Sequence, residues 1–441
     1  METCAASRTF LDGKGERVKV KLAFGKEGLL VDLPDRNVKV LAPRYVPGLR
    51  DEERALREAL RHPMGTPPLR SLVRKTDTVA VVFSDLTRPQ PRERMLSVLL
   101  DELSHVPRER ITLINALGTH RPNTPAELRE MLGDALVDAY RIVQHDPEDK
   151  ANLVPLGRTS FGHEVAVNRA YMEADVKILT GFIEPHFFAG YSGGPKAVCP
   201  GLADTRAILL NHSAPMIGHP QATWGVTEGN PIWEEMREVA LMTSPTFLFN
   251  VTLNRDHRIT GVFAGDLLQA HRAGTRFVAA TALVPVEKPF DIVITSNSGY
   301  PLDLNLYQAV KGMSAAARVV KEGGSILVAA ECWDGIPDHG EYGRLLREAG
   351  TPDRLLEMIQ APGFLRQDQW EAQVQALVQK KAEVYVYSTY LSDEMIRGAM
   401  LIPCPSLEET VASLLRRYGP DASICVLPEG PMTIPYLTSP P

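Results

Sequence analysis

Apolar, β-branched runs alternate with longer amphipathic stretches along most of the chain. The first segment differs: Val18, Val20 and Leu22 alternate with charged residues, and Gly28-Leu-Leu-Val-Asp-Leu-Pro34 follows with a second strand-like run, which predicts an antiparallel hairpin. Strands are then expected at 78–83, 111–117, 174–180 and 246–253, with helices over 92–103, 125–132, 204–210 and 267–280 between or after them. That order predicts βαβ units and a mainly parallel sheet. A proline-interrupted link at 284–290 precedes a second series, with strands at 291–296, 324–330, 382–387 and 423–428. The fold class read from this rhythm is α/β, with two α/β/α domains at 1–284 and 285–441. The last residues of the second are able to return to the first. A chain of 441 residues exceeds the size at which one core usually stops growing. An active-site cleft between the domains is therefore expected, beyond the carboxyl ends of the strands.

Composition narrows the function classes. With 44% hydrophobic and 23% charged residues the chain can build substantial cores, which sets disorder aside. A net charge of −6 without a basic stripe gives no reason to expect a nucleic-acid partner. The apolar runs are far too short for a bilayer helix, so no membrane partner is expected. The N-terminus lacks a basic start followed by an apolar stretch, and the five cysteines show no paired spacing. Both features imply a reducing, cytoplasmic setting and argue against a disulfide framework or a thiolate zinc site.

Chemistry concentrates where strands end. The 78–83 strand runs into Ser84-Asp85-Leu86-Thr87-Arg88-Pro89, an acid, a hydroxyl and a guanidinium suited to an anion, or equally to a locally bonded turn. The next strand runs into Gly118-Thr119-His120-Arg121, ahead of the capping box Thr124-Pro-Ala-Glu127. His120 is thus placed where such folds present functional groups. The third strand leads into Gly181-Phe-Ile-Glu-Pro-His186-Phe-Phe-Ala-Gly190-Tyr-Ser-Gly193-Gly194-Pro-Lys196. Four glycines in this stretch are hard to assign to packing and suggest backbone amides cradling a phosphate, although the Walker spacing is absent. Lys196 suits a phosphate counter-charge or a covalent adduct, and the aromatics beside His186 suggest a partly dehydrated acid/base. His212 ends a predicted helix, where an imidazole also serves as a cap; no HExxH or facial triad completes a protein-only metal site. In the second domain Tyr307, Gln308 and Lys311 share a helical face, either solvated or clamping a carboxylate.

Together, Ser84-Asp-Leu-Thr-Arg-Pro, Gly118-Thr-His-Arg, Pro185-His-Phe-Phe-Ala-Gly-Tyr-Ser-Gly-Gly-Pro-Lys, Asn211-His and Leu306-Tyr-Gln-Ala-Val-Lys resemble the nickel-pincer lactate racemase family. The resemblance implies a 2-hydroxyacid racemase or epimerase working by transient hydride transfer. Its cofactor would be nickel in a pyridinium-3,5-bisthiocarboxylic acid mononucleotide, which family members can join to the lysine matching Lys196. His212 would be the remaining nickel ligand, and His120 and His186 the acid/base pair. Arg88, Tyr307, Gln308 and Lys311 would meet the substrate, while Asp85, Thr87, Gly193 and Gly194 would sit with Lys196 against the cofactor. Proteins that make the cofactor are implied as partners, beside a small chiral 2-hydroxyacid. Trp233 stands where an arginine is expected in a lactate-acting member, so lactate is only the first candidate. A nicotinamide-dependent dehydrogenase is disfavoured because no Gly-x-Gly-x-x-Gly follows an early strand. A non-catalytic nickel- or cofactor-binding protein is the other alternative, distinguished by binding without turnover.

Overall fold

The computed structural model describes residues 7–9, 17–337 and 340–438. The chain divides into two compact units, one of residues 45–212 and 219–281, the other of 1–44, 213–218 and 282–441.

The 45–281 unit is built on a six-stranded sheet. Its order is Ile259–Gly265, Phe247–Leu253, Val176–Phe182, Val79–Ser84, Ile111–Ala116, Arg141–Gln144. Only the first pair is antiparallel. The central strands are apolar on both faces, as strands covered by helices on either side require. The chain starts at Val79–Ser84, moves outward through Ile111–Ala116, then returns to lay Val176–Phe182 on the opposite flank of the first strand. This reversal is the point at which open α/β sheets leave a crevice at their carboxyl ends. The loops leaving those strands are 85–90, 117–124 and 183–193.

The other unit carries an all-parallel sheet in the order Ile402–Pro403, Ala382–Tyr387, Val320–Ala329, Phe290–Ser296, Ile424–Leu427, Val38–Val40. Its last strand corrects the expected domain composition. Residues 17–44 join this unit instead of the first domain, because Val38–Val40 pairs with Ile424–Leu427 and the hairpin Arg17–Leu22/Leu29–Pro34 packs Val18, Val20, Leu22, Val31 and Leu33 against Ile292, Ile294 and Val426. Alternation marks a hairpin's apolar face but not the core that receives it. The C-terminal residues also stay within this unit: Ile434–Leu437 pairs in parallel with Leu283–Val286. Among the described residues no helix is long and apolar enough to cross a membrane.

Candidate functional site

The loop after Val79–Ser84 is shaped by Arg92, buried at the start of the following helix. Its guanidinium donates to the carbonyls of Ser84 (2.6 Å), Gln90 (3.2 Å), Arg88 (2.6 Å) and Asp85. Gln90 completes the brace, accepting from the Ser84 amide and hydroxyl and donating to Thr180 on the neighbouring strand. Sequence reasoning missed both, reading Arg92 only as the first residue of a helix.

Held this way, Asp85 turns its carboxylate to His120. The imidazole Nδ1 lies 2.7 Å from Asp85 Oδ2, and Thr87 Oγ1 donates to the same carboxylate at 3.0 Å. Burial opposes ionisation of Asp85, yet His120, then Arg88 and Thr87, hold its carboxyl well below the usual carboxylate range. A carboxylate accepting from Nδ1 fixes the tautomer and leaves Nε2 as the basic nitrogen. Asp85, expected as a cofactor contact together with Thr87, also orients His120, and Thr87 bonds to the same carboxylate. Arg88 lies at the same loop, its Nη1 3.4 Å from Thr87 Oγ1.

The 183–196 loop gathers the second group. His186 is buried, with its Nδ1 accepting from the Ala189 amide (3.3 Å) and its Nε2 3.4 Å from Lys196 Nζ. Phe188 is the shared wall: it meets the His186 ring edge-on at 4.5 Å and the His212 ring edge-on at 5.0 Å, with Lys196 Nζ 5.7 Å from its centroid. The sequence-expected trio of His186, Lys196 and His212 is therefore one cluster. The Gly118 amide donates to the Gly201 carbonyl at 3.1 Å, tying the His120 loop to the segment that follows Lys196.

His212 closes the helix Thr205–Asn211, which starts on the N-cap Asp204. Its Nδ1 lies 3.0 Å from the Ile208 carbonyl, so the ring's proton sits on Nδ1 and Nε2 keeps the lone pair. Burial first, and the charge of Lys196 second, push this imidazole down to about 3, against a smaller upward pull from the Ile208 bond. It is neutral at physiological pH, as a metal ligand must be. His219, the other histidine in this stretch, is exposed and only caps Gln221.

The glycines expected to cradle a phosphate are also demanded by packing. The Gly194 amide already donates to Asn250 Oδ1 (2.8 Å). A Cβ on Gly193 would stand 2.6 Å from Asn250 Oδ1, one on Gly194 2.5 Å from the His271 ring, and one on Gly190 far inside contact with the Val226 carbonyl. All three have φ between +52° and +77°. Close packing at positive φ therefore accounts for them. His271 is stacked in turn by Trp233, whose buried Nε1 has no partner among the described residues.

In the 282–441 unit, Asn305 caps the helix Leu306–Ala317. Lys311 Nζ donates to Gln308 Oε1 at 2.6 Å, so these two form a pair, whereas the Tyr307 hydroxyl accepts from Trp370 Nε1 at 3.0 Å and its ring meets Tyr342 edge-on. Trp370 was not anticipated; it lies far along the chain, and nothing local connects it to Tyr307.

Fold and site define an α/β protein in which His120, His186 and Lys196 lie on loops that follow strands of a mainly parallel sheet. Residues 24–225 match the lactate racemase N-terminal domain and residues 286–434 the lactate racemase C-terminal domain. The lactate racemase of Thermoanaerobacterium thermosaccharolyticum is 36% identical over 418 residues, spanning 93% of this chain and 97% of that protein. That of Lactiplantibacillus plantarum is 35% identical over 419 residues, spanning 94% and 98%. The solved lactate racemase apoprotein from T. thermosaccharolyticum has a TM-score of 0.89 at 35% identity, covering 95% of this chain and 99% of that one. A Thermotoga maritima protein with a TM-score of 0.70 and 18% identity, covering 89% and 100%, shares the fold. The chain belongs to the lactate racemase family and is an isomerase, a racemase by class.

Proposed function

We propose that the protein inverts C2 of a small 2-hydroxyacid, lactate first among the candidates, with His120 and His186 as its two acid/base groups. The observation that carries this reading is the pair of imidazoles on separate strand-end loops, each held by its own partner, Asp85 for His120 and the Ala189 amide with Lys196 for His186. Inversion treats two mirror-related substrates alike and so needs a proton acceptor for each. His120 Nε2 takes the hydroxyl proton of one enantiomer and returns it to the product of the other; His186 does the converse. Arg88, Tyr307, Gln308 and Lys311 are assigned to substrate binding, Lys311 paired with Gln308 and Tyr307 braced by Trp370.

The donor set fits a nickel-carrying pyridinium-3,5-bisthiocarboxylic acid mononucleotide. Among the described residues no three His, Cys, Asp or Glu gather as a metal group. A nickel ion supplied with its own carbon and sulfur ligands would need one neutral imidazole, and His212 provides it. Lys196, 3.4 Å from His186, would anchor the organic part, covalently through a thioamide, and Gly193 and Gly194 keep the backbone close at that point. When bound, this group supplies a hydride acceptor, which removes the need to pull a weakly acidic proton from C2. Proteins that build and load the cofactor are the implied partners, and a cytoplasmic location follows from that dependence.

The test is racemisation in D2O by protein co-produced with the cofactor-making enzymes. Inversion should proceed with the C2 hydrogen retained; deuterium entering C2 at the rate of inversion would overturn the reading in favour of direct proton abstraction.

A further inference from the structure

Glu235 is a carboxylate at 2% exposure that neither the acid/base chemistry nor the expected cofactor uses. Taking a carboxylate out of water costs several kcal/mol unless it is fully bonded, so its partners are informative. Oε1 accepts from Thr159 Oγ1 and His163 Nδ1, both at 2.8 Å, which belong to the turn and hairpin around the strand Glu164–Asn168. Oε2 accepts from Asn211 Nδ2 at 2.9 Å. Asn211 is fully buried, donates a second time to the Ile232 carbonyl (3.2 Å), and is the last residue of the helix Thr205–Asn211, immediately before His212.

His212 itself is steadied from its own helix by the Ile208 carbonyl and from one side by Phe188. The first lies within the helix and the second is a ring contact, so neither sets direction as a polar bond to another element would. The two donations from Asn211 do, because they tie the residue next to the ligand to the buried face of the helix Pro231–Met242. Apolar packing could join the same elements, but it would not set direction as bonded polar groups do.

We propose that Glu235, acting through Asn211, is a positioning residue for His212: it sets where the ligand's imidazole stands, without touching it. This rests on the reading of His212 as the nickel ligand. Residues behind a metal ligand typically alter metal affinity by about 10- to 100-fold when removed.

The experiment uses the cofactor-loaded protein and follows nickel loss to excess EDTA by elemental analysis, together with the nickel absorption band, for Asn211→Ala, Glu235→Gln, Thr159→Val and His212→Ala. Glu235→Gln keeps the volume of the side chain and guards against a variant that fails to fold. Thr159→Val removes a bond to the same carboxylate on the side away from Asn211, and so reports what structural loosening alone does. Expected are a shifted band and nickel loss faster by about tenfold or more in Asn211→Ala and Glu235→Gln, with Thr159→Val close to the parent on both. If Asn211→Ala and Glu235→Gln hold nickel as the parent does while His212→Ala loses it, the positioning role is wrong and the ligand assignment stands. Equal acceleration in Thr159→Val would make Glu235 a structural residue and nothing more. Nickel retained by His212→Ala would remove the ligand assignment itself, and the proposal with it.

Discussion

Asp85→Asn is the most direct perturbation of the acid/base pair, because it removes one charge and leaves nearly the same shape. In the parent the carboxylate accepts from His120 Nδ1 at 2.7 Å and from Thr87, while the surrounding loop is held through backbone carbonyls by Arg92. Those carbonyls remain in the variant, so the loop should keep its path. What changes is the imidazole. An amide oxygen can still accept from Nδ1, but without the charge that stabilises the imidazolium, and an amide turned the other way donates to Nδ1 and selects the wrong tautomer. A hydrogen bond to a charged group contributes about 1.5–3 kcal/mol. At ~1.4 kcal/mol per factor of ten, that predicts a fall in kcat of roughly 10- to 150-fold from the charge alone, and more from the wrong tautomer. The assay is chiral chromatography of the product started from each pure enantiomer, with nickel content measured on the same samples. Because enantiomers are equal in energy, kcat/KM must fall by the same factor in both directions. Unchanged kcat at full nickel loading would show that His120 needs no orienting carboxylate and is not an acid/base of this reaction. A loss confined to KM would place Asp85 in binding instead.

Lys311→Ala should raise KM by about 10- to 100-fold, the worth of one charged bond to a carboxylate, with nickel content intact; unaltered kinetics, or a stripped cofactor, would remove Lys311 from the substrate's carboxylate. Stability should fall on mild acidification. Burial pushes His271 down to about 4 and lowers His145 as well. The unfolded chain therefore takes up protons near pH 6.5 that the folded one refuses, and stability is fully present above that pH and lost as pH falls toward 4. For His271 alone the slope is about 1.4 kcal/mol per pH unit in that window, so Tm of the apoprotein should drop between pH 7 and 5 and drop less in His271→Phe; a flat profile in the parent would contradict the burial. Gly190→Ala places a methyl group against the Val226 carbonyl at φ +77° and should lower apoprotein stability by about 1–3 kcal/mol in urea, whereas Gly157→Ala, which meets nothing within 4 Å, should report the cost of positive φ alone. Equal losses in the two would mean that the 183–196 loop yields at no cost.

The strands that carry the site were legible because residues 79–83 are a continuous apolar run and 111–116 a largely apolar one, as strands covered on both faces require. Helix starts were legible where capping is local: Thr124 and Glu127 form the expected box, and Asp204 caps the helix that leads to His212. What escaped was set by partners distant in sequence. The purpose of Gly194 depends on His271 and Asn250, that of Asp85 on His120 across the next loop, and Tyr307's hydroxyl on Trp370. Arg92 was visible as a residue, but its four carbonyl acceptors exist only once the loop has folded around it.

The edge strand Val38–Val40 has a further consequence, for the order in which the protein is made. Among the described residues its strand neighbour is Ile424–Leu427, which leaves the ribosome long after it. At ~5–20 residues per second the interval is of the order of 20–80 s. Throughout it the hairpin's apolar side, Val18, Val20, Leu22, Val31 and Leu33, has no completed sheet to cover it, while residues 45–281 already possess every strand of theirs. The nascent chain thus carries an uncovered apolar hairpin ahead of a domain free to fold, and its yield in a cell should depend on whatever shields that hairpin until Ile424–Leu427 arrives.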